Sequence, residues 1–496
     1  MNITFVENAP QTADVLVAGV TAEGCVAATT ASLEDAAQAV LSRLAQNTRF
    51  KGAANDLIEI AAPEGLGAER LCLIGLGDPT TLDSHAWERL GGTLAAACDG
   101  TETSLTIAIA PPAGNPSALA DFAMGLRLRG YRHDRFRTTP REDDAGAIKT
   151  VTVHDPDGSA RDTWESNHAH IAAGVVWARD LFAEPANCLW PETFVQEATA
   201  LEAFGVTLEA HGPDELRAMG AGAMLAVAQG SINEPRLAVL RWNGADDKNE
   251  APLVFVGKGM TFDSGGLSLK PAKGMEEMKG DMAGAAAVTG AMRALAGRKA
   301  RVNVVGILGL AENMPGANAY RPGDVVKTMA GWTVEVIDTD AEGRMVLADA
   351  LWFAARKFKP RLMVDLATLT YAIMAGLGLI YTGMYATDDA LADELVAASA
   401  ASGEKLWRMP LDEDYEANLG SEIADLRQIA PDSEFADCAH AAQFLSRFAD
   451  QRPWAHLDIA GNEMAYDDKP LCPKGPTGVG VRLLDALARD HETVAD

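Results

Sequence analysis

The sequence predicts an α/β protein of two domains, each with a central mainly parallel or mixed sheet flanked by helices. Three observations predict it. The chain has 496 residues, more than one ordinary domain holds. Short apolar runs alternate with helical stretches in both halves, the pattern of strand–helix–strand units. A polar, charged stretch, RHDRFRTTPREDDAG at 132–146, breaks that alternation as an exposed loop near a domain boundary.

In the first half, DVLVAGV (14–20), LCLIGLG (71–77) and SLTIAIA (104–110) read as buried strands. SLEDAAQAVLSRLAQ (32–46) and SHAWERLGGTLAAAC (84–98) read as helices, the first capped at Ser32 with Glu34 and Asp35 in its opening turn. A helix from about Ala160 to Phe182 then links the halves, and EPANCLWPETF follows with two turn-marking prolines. In the second half, APLVFVGKG (251–259), RVNVVGILGL (301–310), WTVEVIDTD (332–340) and RLMVDLATL (361–369) read as buried strands. DMAGAAAVTGAMRALAG (281–297) and AEGRMVLADALWFAARKF (341–358) read as helices. Met345, Ala348, Trp352 and Ala355 make a core-facing stripe on the latter. The expected division is an N-terminal domain over 1–155, a linking helix over 156–185 and a catalytic domain over 186–496.

The charge balance narrows the function classes. The chain carries 42 Lys+Arg against 70 Asp+Glu, a formal net charge of -28. That favours solubility and disfavours nucleic acid and anionic membranes as partners. No apolar run is long enough to span a bilayer, and the N-terminus lacks a basic segment before an apolar one. Cys25, Cys72, Cys98, Cys188, Cys438 and Cys472 are scattered without a CxxC pair, so reduced thiols in a cytoplasmic protein are expected. HExxH and the phosphate-loop pattern GxxxxGK[ST] are both absent. LCLIGLGDP lacks the third glycine of a dinucleotide fingerprint and reads as a strand-end turn.

Ligands of open α/β sheets sit beyond the carboxyl ends of strands. Two strand ends here are rich in potential metal ligands. VFVGKG runs into MTFDSGGLSLK, offering Lys258, Asp263 and Lys270. EVI runs into DTDAEGR, offering Asp338, Asp340, Glu342 and Arg344, and Asp281 opens the helix after the first loop. Carboxylates on neighbouring loops repel one another unless a cation neutralises them. Their paired oxygens suit Mg²⁺, Mn²⁺ and Zn²⁺ and can bridge two ions about 3.5–4 Å apart. Taken alone, DTDAEGR would be a solvated acidic turn and each lysine a surface lysine. It is their company within one α/β domain that points to a metal-dependent hydrolase.

VGKGMTFDSGGLSLKPAKGMEEMKGDMAGAAAV and DTDAEGRMVLADAL closely resemble the leucyl aminopeptidase family, the M17 metallopeptidases. EPANCLWPETF, VDLATLT, WAHLDIAG and GPTGVGVRLL look like further family segments, so the resemblance covers about residues 175–485. It implies an aminopeptidase that removes the N-terminal residue from short peptides with a free amine. It also implies two divalent ions per subunit (Mn²⁺ or Zn²⁺, with Mg²⁺ or Co²⁺ as further candidates), a bicarbonate ion as base and a homohexamer. By position, Lys258 matches a lysine ligand, Asp263 and Glu342 match carboxylates shared by both ions, and Asp281 and Asp340 match ligands of one ion each. Lys270 matches the lysine that contacts the substrate carbonyl, and Arg344 the arginine that holds bicarbonate. Met278 and Thr368 match pocket positions, with Leu369 adding main-chain contacts. A lysine must be neutral to ligate, against a free pKa of about 10.4, and a nearby dication makes that accessible. No histidine is needed as base, which leaves His440 and His456 structural.

Four departures stand out. Asp338 replaces the usual asparagine of the motif, as an extra acid or an equivalent acceptor. Tyr371 follows DLATLT where glycine is usual, and Asn462-Glu463 follows LDIAG. Asp437 and His440 interrupt a small-residue run in EFADCAHAAQFL. These bear on residue preference, not on hydrolysis. Two other readings remain at this point: a DNA-binding regulator, opposed by the acidic balance, and a two-metal phosphoesterase, which leaves Lys258 unexplained.

Overall fold

The first sheet has seven strands: β1 (Asn2–Val6), β2 (Ala13–Thr21), β3 (Val26–Ala27), β4 (Leu57–Ala61), β5 (Ala68–Gly77), β6 (Ser104–Ile107) and β7 (Thr150–His154). Their order is β1-β7-β6-β2-β5-β4, with β3 paired to β2. The neighbours from β1 to β5 along that order run parallel, while β3 and β4 pair antiparallel. Val20, Leu71 and Leu73 are fully buried, and their β-branched and leucine side chains join helix Ala31–Leu44 in one core. That helix starts ahead of the predicted cap, because the Thr30 hydroxyl accepts the Leu33 N–H at 3.4 Å. The computed structural model described here covers every residue except 9–12, 45–49, 62, 64–65, 99–103, 140–147, 432–434 and 494–496. Much of the predicted boundary loop, and the end of the helix predicted over 32–46, therefore lie outside the described residues.

The second sheet has eight strands. They are β8 (Thr207–His211), β9 (Arg236–Asn243), β10 (Leu253–Asp263), β11 (Asn303–Asn313), β14 (Leu362–Ala367), β15 (Thr382–Ala386), β16 (Leu406–Arg408) and β18 (Trp454–Asp458). Their order is β16-β15-β18-β14-β10-β11-β9-β8. The centre, β18-β14-β10-β11, is parallel; β15, β9 and β8 bring antiparallel pairings at the flanks. Strands β10 and β11 are buried nearly throughout, as expected of parallel strands covered on both faces. Helices Ala283–Gly297 and Glu342–Phe358 match the predicted ones within two residues. A small sheet joins β12 (Val325–Lys327), β13 (Thr333–Glu335) and β17 (Leu426–Arg427).

The predicted strand over 332–340 is cut short. Beyond Glu335 the chain leaves the ladder, and the N–H groups of Ile337 and Asp338 go to the Gln428 side-chain oxygen at 2.7 and 3.2 Å. The whole chain forms two compact units, Met1–Ala172 with Ala465–Gly475, and Ala173–Met464 with Pro476–Asp496. The helical stretch expected as a linker is shared between them at Ala172 and Ala173. Both units are α/β, as predicted.

Candidate metal centre

Parallel strands deliver their carboxyl ends to one edge, and the polar residues of the second sheet collect there. β10 ends at Asp263, in register with Asn313 at the end of β11. β14 leads into Thr368 and Leu369, and β18 ends at Asp458. The turn Met275–Gly280 sets Asp281, and the loop after β13 sets Asp340 just before Glu342 opens its helix.

These side chains meet. Carboxylate oxygens of Asp263, Asp340 and Glu342 lie within 4.8 Å of one another, close enough to share a cation. The Lys258 Nζ is 2.8 Å from Asp281 Oδ1, 2.9 Å from Glu342 Oε1 and donates to the Thr368 carbonyl at 2.9 Å. The Lys270 Nζ is 2.8 Å from Asp263 Oδ2 and 2.5 Å from Asp340 Oδ1. Thr368 Oγ1 donates to Asp281 Oδ1 at 2.6 Å. Asp281 Oδ2 and Glu342 Oε2 are buried and have no hydrogen-bond partner among the described residues. A buried carboxylate oxygen without a donor is costly, and a cation is the natural remedy.

Electrostatics say the same. Four carboxylates face two ammonium groups, an excess of two negative charges in a buried space. Burial and neighbouring carboxylates push Asp281 up to about 6, and Asp340 and Glu342 up to about 7, against the opposing lysines. Burial alone would lower the two lysines, but the surrounding acids outweigh it and hold both above the ordinary lysine range.

The backbone is shaped for this crowding. A Cβ on Gly343 would come within 2.6 Å of Lys258 Cε, so glycine is what lets the helix start pass the lysine. Gly265 has φ +86, a left-handed turn that brings its N–H to Asp263 Oδ1 at 2.9 Å.

The remaining expected residues fall as follows. Leu369 N–H donates to Asp458 Oδ1 at 3.1 Å. Met278 is half-buried in the turn before Asp281. Arg344 is buried on the Glu342 helix, its Nη2 3.0 Å from both oxygens of Asp437 and its Nη1 donating to the Gln428 carbonyl at 2.8 Å. Asp338 accepts the Asp340 N–H at 2.9 Å, the same acceptor role an asparagine oxygen would fill. Tyr371 is exposed, with the Lys270 Nζ 5.7 Å from its ring centre. His456 is a buried partner of Asp365 at 2.6 Å.

Several supporting residues escaped sequence reasoning. Asn313 Nδ2 donates to Asp263 Oδ1 at 2.8 Å and to the Thr339 carbonyl at 2.9 Å. The buried Tyr320 hydroxyl donates to that carbonyl at 2.8 Å, and Thr339 Oγ1 donates to Gly265 O at 2.6 Å. Gln428 grips the acidic loop by accepting from Ile337 and Asp338 and donating to the Ala341 carbonyl at 3.2 Å. Asn313 alone carried a signal, as a polar residue closing a long apolar strand.

Residues 176–485 match the catalytic domain of the cytosol aminopeptidase family, and residues 17–140 match its N-terminal domain. A probable cytosol aminopeptidase of Methylorubrum populi is 46% identical over 453 residues, 90% of each chain. Another, from Rhizobium etli, is 44% identical over 492 residues, covering 99% of this chain and 98% of its own. Among solved structures, the bottromycin maturation enzyme BotP in complex with Mn superposes with TM-score 0.83 at 32% identity, over 97% of this chain and all of its own. A mutant of tomato leucine aminopeptidase gives TM-score 0.84 at 31% identity, over 99% of this chain and 96% of its own. The chain belongs to the cytosol aminopeptidase family, the M17 leucyl aminopeptidases, and is a metal-dependent aminopeptidase.

Proposed function

We propose that the enzyme removes N-terminal residues from short peptides at a centre of two divalent ions. The observation that carries this is the meeting of Asp263, Asp340 and Glu342 oxygens within 4.8 Å, with Lys258 and Asp281 alongside. Lys258, Asp263, Asp281, Asp340 and Glu342 would hold the ions. The unpartnered, buried Asp281 Oδ2 and Glu342 Oε2 fit that task. Mn²⁺ or Zn²⁺ there would polarise the scissile carbonyl and lower the pKa of a bound water. The lysine and carboxylate donor set also admits Mg²⁺ or Co²⁺.

The chain's own groups do the rest. To hold an ion, Lys258 would have to be neutral, its proton passing to solvent as the cation replaces it beside Asp281 and Glu342. With Asp263 and Asp340 engaged by ions instead of by its own Nζ, the Lys270 ammonium would be free to donate to the carbonyl oxygen as negative charge develops there. A free amine on the substrate would be met by this acid-rich cluster, which would restrict cleavage to the first residue. Met278, Thr368 and Leu369 would border its side chain, and Tyr371 and Glu463 would shape what is accepted. For bicarbonate the donor set does not fit: the outer nitrogens of Arg344 are taken by Asp437 and Gln428, and no step is assigned to that ion.

The unit holding residues 186–464 would be catalytic, in a cytoplasmic homohexamer. Protein loaded with Mn²⁺ or Zn²⁺ is expected to bind two ions per chain and to release the first residue from dipeptides or amino-acid anilides. Inactivity of metal-replete protein across a varied panel would overturn the reading. Sedimentation should find a hexamer, and a stable active monomer would refute that part.

A further inference from the structure

Arg344 is 2% exposed, so its charge needs a fixed partner. Its partner is Asp437: Nη2 lies 3.0 Å from both Oδ1 and Oδ2. Nη1 donates to the Gln428 carbonyl, and Nε is buried without a partner among the described residues. An aspartate carboxylate and a bicarbonate present the same pair of oxygens to a guanidinium, so they compete for the Nη2 donor. A bicarbonate placed beside Asp437 would set two anions together at one guanidinium. The backbone supports a dedicated role. Ala436, the residue before Asp437, sits at φ +54, a left-handed conformation that side-chain-bearing residues rarely adopt. That residue caps the helix Asp437–Ser446, whose first residue sets its acid against Arg344.

We propose that Asp437 is the resident anion of Arg344: the chain carries on its own helix the carboxylate that the family resemblance assigns to bicarbonate, and neither binds nor needs that ion. The inference rests on Arg344 belonging to the centre proposed above, but its first test requires no turnover. Wild type, Asp437→Ala and the isosteric Asp437→Asn are titrated with bicarbonate in carbonate-depleted buffer. Binding is followed by calorimetry and by NMR of the labelled ion. Hydrolysis is then followed as bicarbonate is restored. Wild type should show no saturable binding and a flat rate. Asp437→Ala should bind bicarbonate, and its depleted rate should rise roughly tenfold or more on restoration. Asp437→Asn should lie between them. Saturable binding by the wild type overturns the proposal, as does a folded Asp437→Ala that binds none. Should the alanine variant fail to fold, the wild-type and asparagine titrations still decide. An enzyme with no activity but the expected binding pattern would refute the metal reading and leave this one standing.

Discussion

The two sheets of this chain obey the same topological rule and spend their strand ends differently. In the first, β2 and β5 bury Val15, Val17, Leu71 and Leu73 and finish at Thr21 and Gly77, while His154 and Asp155 are the buried titratable groups closing β7. In the second, Lys258, Asp263, Asp281, Glu342, Arg344, Asp365, His456 and Asp458 are all buried around the ends of β10, β14 and β18. A parallel sheet offers a crevice wherever its strands end. What turns a crevice into a reaction centre is the burial of charges that only a ligand or a precise partner can satisfy.

Breaking the second region should abolish chemistry. Glu342→Ala removes a group that touches both the Lys258 and the Asp263–Asp340 sides of the centre. Metal affinity should fall by roughly a hundredfold or more, with turnover lost, as read by metal analysis and anilide hydrolysis. Unchanged occupancy would disprove the bridging role. Lys270→Met should lower kcat/KM roughly 10²–10³-fold while leaving metal stoichiometry intact, because it removes an electrostatic donor and no ligand. The reverse pattern, lost metal with each surviving molecule fully active, would contradict that assignment.

Breaking the first region should cost stability alone. Leu73 is fully buried, and Leu73→Ala should destabilise by roughly 2–5 kcal/mol in denaturant melts while kcat per folded molecule holds. A fall in kcat would show that this sheet shapes the reaction after all. The smallest effect sharpens the comparison inside the catalytic unit. Burial pushes the Asp349 carboxyl up from 3.8 to about 7, against the N–H groups of Met329 and Met224 at 2.7 and 2.9 Å. The folded form therefore holds its proton more tightly than the unfolded form. That contribution is complete below pH 3.8 and is lost as pH rises through about 7. Asp349→Asn should flatten the decline in melting temperature over that window, and an unaltered slope would show that another group titrates.

What the sequence disclosed follows from what each element depends on. Strands such as 71–77 and 301–310 are long apolar runs whose burial is written in their own residues. Helix 342–358 likewise announces itself by its own periodicity. The acidic cluster could be read because its members lie at strand ends and in two dense motifs. By contrast, the strand predicted through Asp340 ends at Glu335, since the Gln428 side chain takes over the next N–H groups. Tyr320 and Gln428 were invisible for the same reason, and Asn313 showed only its place at a strand end: each acts through a carbonyl or carboxylate brought near only by tertiary folding. The pairing of Asp437 with Arg344, 93 positions apart, is equally beyond local pattern.

The grip of Gln428 also sets a timetable. Its bonds reach back 84 to 91 positions to Arg344, Ala341, Asp338 and Ile337. Closing so long a loop is slow compared with winding the helix that begins at Glu342. On the ribosome, the acidic loop cannot be held in its final form until residue 428 has left the exit tunnel. By then most of the chain has been made, and its earlier domain has had time to fold. A nascent chain thus carries every acid of the proposed centre well before it can hold them in working order.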